Sequence, residues 1–205
     1  MMGKQKNTNC QLIASKDALK VIYYVIIGIA ITQALDRVFL ENGAFIGMKV
    51  FKNINILTHF LLLIAFLPTI CRFVHGASIH LNLIHTGTFK TLIDFIGFFL
   101  QAILFYLMAI AIDNIVVFAI LFCLMLSIDA IWLVLLCTIG YQNFKGTVRQ
   151  WIFSDVILIF ILIVCIIYFS KISSMLTAII ILLASLVATF FDYIQNRNFY
   201  FPGHE

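Results

Sequence analysis

The side chains in this sequence that could do chemistry are few, and most of them sit in or beside long apolar runs. Arg72, His75, Asp94, Asp129, Arg149, Asp155 and Asp192 are the ionisable residues in such positions. A charge inside lipid costs a few kcal/mol on insertion scales, so these groups must be paired, wet or useful. Asp129 is the deepest acid, with no cation close to it in sequence. Three arrangements suit the set. Interhelical ion pairs, such as Arg72 with Asp94 and Arg149 with Asp155, would fix helix order. A polar pathway or ligand pocket would gather the groups on one side of the membrane. Paired carboxylates such as Asp94 and Asp155 would serve acid–base catalysis.

Other chemistry is poorly supported. His75, His80 and His85 recur at steps of five, whereas metal ligands on a helix need steps of three or four. Membrane di-iron oxygenases use a larger histidine set than the five here, which include His59 and His204. We therefore expect no metal and no cofactor. There is no H-E-x-x-H or G-x-S-x-G, no phosphate-cradling glycine loop and no C-x-x-C. Cys10, Cys71, Cys123, Cys137 and Cys165 occur singly and read as reduced thiols. The missing signatures lean toward a non-enzymatic role.

These groups must be positioned by helices in lipid. The 205 residues are 63% hydrophobic and 11% charged, with mean hydropathy +1.11, where soluble domains carry about 25% charged residues. A spanning helix needs about 20 apolar residues. Six segments qualify: 19–40, 54–75, 91–112, 115–139, 151–169 and 173–193. The expectation is an all-α, polytopic bundle of about six transmembrane helices forming a single domain over 1–205. Asp113-Asn114 and Ser170–Ser173 supply tight turns between the third and fourth and between the fifth and sixth helices. Pro68 removes a backbone hydrogen bond one turn before Arg72. Gly28, Thr32 and Asp36 share a face of the first helix, at a spacing typical of close helix contacts. The loop from Glu41 to Asn53 mixes apolar residues with Lys49 and Lys52 and suits either a leaflet surface or a plain loop.

Alternating the spans places Lys4, Lys6, Lys16, Lys20, Arg72, Lys90, Lys145, Arg149 and Arg197 on one side. Arg37, Lys49, Lys52 and Lys171 fall on the other, completing the 13 basic residues. The positive-inside rule makes the richer side cytoplasmic, with both termini there. The N-terminus is polar and basic, and the apolar run after it lacks a small-residue cleavage site before Asp36-Arg37, so it reads as a retained first helix. Basic residues are scattered at the ends of apolar runs, which argues against nucleic-acid binding.

The stretches Arg72-Phe73-Val74-His75-Gly76, Leu92-Ile93-Asp94-Phe95, Asp129-Ala130-Ile131-Trp132 and Asp192 to Pro202 resemble a pattern in uncharacterised bacterial multi-pass membrane proteins. The resemblance covers most of the chain after the first helix. It implies a bacterial inner membrane and no particular activity. On the residues alone, the leading expectation is a non-enzymatic, homo-oligomeric component that forms a pore or anchors a membrane or cytoplasmic partner, as in phage defence. The alternatives are a small-solute or ion transporter subunit using the intramembrane Asp and Arg residues, and a membrane enzyme at the cytoplasmic leaflet.

Overall fold

The computed structural model describes residues 2–41, 44–45, 53–83, 88–139 and 145–201. The Glu41–Asn53 loop is mostly outside that set, as are His85, His204 and Pro202. The six long helices are α1 (Met2–Phe39), α2 (Ile54–Leu83), α3 (Thr88–Ile110), α4 (Ile115–Ile139), α5 (Lys145–Ile167) and α6 (Ser174–Gln195). A short α7 (Arg197–Tyr200) follows. A two-residue antiparallel ladder, β1 (Leu40–Glu41) with β2 (Ala44–Phe45), closes the exit of α1. All six long helices contain segments long and apolar enough to cross a membrane, as the sequence predicts, and the chain is a multi-pass membrane protein.

Several helices outrun their apolar segments. The α2 helix continues past Pro68 and on through Gly76 to Leu83, because the backbone of a chain in lipid has no water to bond to and stays helical where it can. The α1 helix extends back into the polar N-terminal stretch, whose residues from Lys4 to Lys20 include no glycine or proline.

Both turns form where the Asx and Ser residues place them. A 3-10 turn, Ala111–Asp113, ends the third crossing, and the Asn114 Oδ1 accepts from the Val117 amide at 3.2 Å to start α4. Another, Phe169–Lys171, precedes Ser173, whose extended backbone and side chain cap α6 by accepting from the Leu176 amide at 3.3 Å.

The most extensive helix contacts form a closed ring, α1–α3–α4–α5–α6–α2 and back to α1. Hydrophobicity does not drive helices together in lipid, so the ring depends on packing and polar contacts. Its middle is filled by aromatic side chains. Phe66 meets Phe105 and Phe118 edge-on at 6.0 and 6.3 Å, and Phe73 meets Phe105 at 5.5 Å. Leu62, Met108 and Met125 complete this buried plug. Outward positions such as Phe160, Val187 and Phe190 are exposed and apolar, as lipid requires.

On α1 the packed face is Leu19, Tyr23, Ile27, Ala30, Ala34 and Val38. Gly28, Thr32 and Asp36 lie on the exposed side, and a methyl at Gly28 would meet nothing within 4 Å. The small-residue face predicted to pack is thus not the one used, because the apolar stripe beside it offers more surface. Gly97 makes the close contact instead: its Cβ would lie 2.7 Å from the Trp132 ring, so α3 and α4 approach there only because the residue is glycine.

Candidate functional site

Arg37 pairs with Asp113 at 3.0 Å at one end of the ring, whereas the buried charged residues gather at the opposite end, which carries α7 and is here termed the tail end. Its centre is Arg72 of α2, which is 4% exposed. The guanidinium Nη2 lies 2.6 Å from Oδ1 of Asp155 on α5, and its Nε lies 3.1 Å from Oδ2 of Asp192 on α6. One side chain therefore ties three helices together through charge-assisted bonds.

Asp192 is held from its own end of the chain as well. Asn196 Nδ2 donates to Oδ1 at 2.7 Å, and the Tyr200 hydroxyl donates to Oδ2 at 2.7 Å. Steps of four and eight along α6 and α7 bring both donors onto the Asp192 face. The Tyr200 phenol, beyond the spanning segment, is pushed above its usual range by burial and then by the Asp192 charge, so it remains a donor. Aromatic rings roof this group. His75 Nδ1 lies 3.0 Å from the Tyr193 hydroxyl, the rings of Tyr193 and Tyr200 are 4.5 Å apart, and Trp151 meets Phe199 edge-on at 4.9 Å.

Asp129 of α4 joins from the far wall. Gln101 Nε2 on α3 donates to its Oδ1 at 2.5 Å, and its carboxyl is within hydrogen-bonding reach of Asp155. Asp155 Oδ2 receives no hydrogen bond from an N–H or hydroxyl group. A carboxyl–carboxyl hydrogen bond needs one proton between the two groups. Three carboxyls thus surround a single guanidinium.

A second polar centre lies beside the first. His80 Nε2 is 3.1 Å from Asp94 Oδ1, both groups being buried, and Lys16 of α1 is within electrostatic reach of Asp94. The His80 and Trp132 rings are 5.0 Å apart, and both line the cavity that Asp129 also lines. Between the two centres is a cavity of about 30 Å³ walled by Arg72, Gly76, His80, Gln101, Asp129, Trp132, Trp151 and Tyr200, with apolar residues between them. Such an arrangement can hold and exchange a proton or accept a very small polar species. No family model matches the chain, and no match to a curated protein or a solved structure was found. The site has to be read from its own geometry.

Of the seven residues predicted from sequence, Arg72, Asp129, Asp155 and Asp192 meet in one network, and His75 contributes to its roof. Asp94 belongs to the neighbouring pair, held by His80 rather than by the predicted Arg72. Arg149 is exposed on α5 and does not join Asp155. Six residues of helix turn a side chain through about 600°, which sets the two on different faces. The carboxyls considered for acid–base work, Asp94 and Asp155, sit in separate partnerships; Asp129 is the acid that meets Asp155. Among the described residues, no three His, Cys, Asp or Glu side chains are grouped to hold a metal ion. The sequence presents His80 only as a candidate metal ligand, and its sixth apolar run ends at Tyr193, short of Asn196 and Tyr200. Their spacing from Asp192 was nonetheless visible in the sequence.

Proposed function

We propose that this protein is a non-enzymatic membrane carrier component that moves an ion or small polar solute through the Asp129 site. The reading takes the tail end, rich in basic residues, as the cytoplasmic side of a bacterial inner membrane, with both termini there. It leaves room for the chain to work as a homo-oligomer or beside a partner subunit.

One observation carries the proposal. An interhelical staple is complete once Arg72 holds Asp155 and Asp192. Asp129 is superfluous to that staple, yet it is 6% exposed, is added to a group in which two carboxylates already face one guanidinium, and faces a cavity. A buried acid beyond what neutralisation requires is costly, and its retention favours a working group over a structural one. The aromatic plug of Phe66, Phe105 and Phe118 across the middle of the ring weighs against a permanently open pore within one chain. The separate holding of Asp94 and Asp155 weighs against those two carboxylates working together as an enzyme's acid and base.

The test is flux of H⁺, Na⁺ and K⁺ into liposomes containing the purified protein under an imposed gradient. Saturable flux of one of these ions, reduced at least tenfold in Asp129→Asn while the thermal midpoint of unfolding is kept, is the expected result. A non-saturable leak indifferent to Asp129 would overturn it in favour of a pore.

A further inference from the structure

We propose that the cavity between Asp129 and His80 holds one or two ordered water molecules that deliver protons to the Asp129–Asp155 pair, so that the species handled by the site is the proton. This rests on the carrier reading and deepens it.

Two features of the cavity point to water. The first is size. A buried water needs about 10–15 Å³ of such space, so about 30 Å³ suits one or two and excludes larger solutes in this conformation. The second is the hydrogen-bonding state of the wall. Trp132 Nε1, Trp151 Nε1 and Gln101 Oε1 are buried polar atoms with no protein partner, and all three residues line this cavity. Orphaned polar atoms of this kind are rare in folded proteins because each costs about 1–3 kcal/mol. Two N–H donors and one carbonyl acceptor from residues lining one cavity are what a water molecule complements, accepting from the indoles and donating to the amide. An anion would meet Asp129, and a bare metal cation would meet two donors.

Gln101, Arg72 and Asp155 act on the Asp129 carboxyl directly, and His80 and Tyr200 line the same cavity. Gln101 is on α3, Arg72 and His80 are on α2, Asp155 is on α5 and Tyr200 is on α7. The Tyr23 hydroxyl of α1 is within electrostatic reach and is itself buried without a partner. In the step itself, a protonated water gives up one proton as a new O–H bond forms on the Asp129 oxygen that Gln101 does not hold, leaving neutral water and a neutral carboxyl. That carboxyl then donates to Asp155 Oδ2, the oxygen with no N–H or hydroxyl donor. The reverse transfer returns the proton to water. No other reactant is consumed.

Gly76 provides a way to close the cavity without disturbing its walls. A methyl there would have only the Tyr200 hydroxyl within 4 Å, at 3.7 Å, an ordinary contact. Alanine is also the better helix former. Gly76→Ala should therefore fold as well as the parent while displacing water.

The experiment is infrared spectroscopy of the whole chain in lipid, following the band of a protonated carboxyl after transfer to D₂O. In the parent, a band absent from Asp129→Asn should be present and exchange quickly. In Gly76→Ala the same band should remain and exchange at least tenfold more slowly, with an unchanged circular dichroism melting curve. Trp151→Phe, which removes one indole donor and keeps an aromatic ring, should slow exchange in the same direction and serves if Gly76→Ala fails to fold. Absence of the band in the parent, or exchange in both cavity variants as fast as in the parent, would overturn the proposal. That outcome is separable from failure of the carrier reading. Saturable Na⁺ or K⁺ flux that depends on Asp129 but ignores Gly76→Ala would leave a carrier without a proton-conducting water.

Discussion

The two halves of this ring solve the problem of holding helices together in lipid by different means. In the half nearer the Asp113–Asn114 turn, aromatic and aliphatic side chains interlock around Phe66, and no buried charge takes part among the described residues. In the tail half, one guanidinium is bonded to two carboxylates with a third acid nearby. Dispersion is diffuse: losing one ring leaves its neighbours in contact. Ionic bonding is concentrated, and losing one partner strands the rest. The plug half is suited to permanence, whereas the tail half is where a change of protonation would be felt.

Variants in each half would sharpen or break this contrast. The largest effect belongs to Arg72→Leu, which strands two buried carboxyls and should destabilise by about 3–5 kcal/mol in unfolding from detergent micelles. Combining it with Asp155→Leu and Asp192→Leu should recover most of that loss, since a matched apolar set is often neutral. A loss under about 1 kcal/mol for the single variant would mean that the ionic half is not concentrated at all. Phe66→Ala in the plug should cost less, about 2 kcal/mol, because in lipid the packing term is lost without the usual transfer from water. A larger loss than for Arg72→Leu would reverse the comparison.

Tyr200→Phe should have the smallest effect, about 1.5 kcal/mol at neutral pH, since Asp192 keeps Arg72 and Asn196. Its sign with pH is defined. The folded phenol titrates above its ordinary value of 10.0, so its contribution is complete below that value. It is lost as pH rises from there toward the folded value, because the unfolded chain releases a proton that the folded chain retains. Alkaline unfolding curves of Tyr200→Phe should therefore fall less steeply above pH 10.0 than those of the parent.

How much of this could be read from the amino acids differs between the halves too. Depth in lipid is encoded by hydropathy, so the six spans and the turns at Asn114 and Ser173 were legible. The burial of Asp129 inside the bundle follows from its place in the fourth apolar run. Pairing was not legible, because a helix sequence specifies which residues share a face but not which helix that face will meet. The ring order brings α2 against α6, so Arg72 meets Asp192 rather than the Asp94 of the next helix along the chain. An Arg149–Asp155 pair is excluded by helix geometry alone, since six residues do not return a side chain to the same face. The Asp192, Asn196 and Tyr200 series is the converse case, present in the sequence at helical spacing but hidden by ending the helix at Tyr193.

The distance along the chain between Arg72 and Asp155, 83 residues, has a consequence for how the protein is made. Ribosomes add about 5–20 residues per second, so the arginine emerges several seconds before the first of its acidic partners has been synthesised. During that interval its long side chain must reach back to the headgroup layer to remain solvated. Release of α2 into its final place must therefore await the arrival of the last two crossings, and a nascent chain interrupted before α5 would carry an unanswered cation for membrane quality control to recognise.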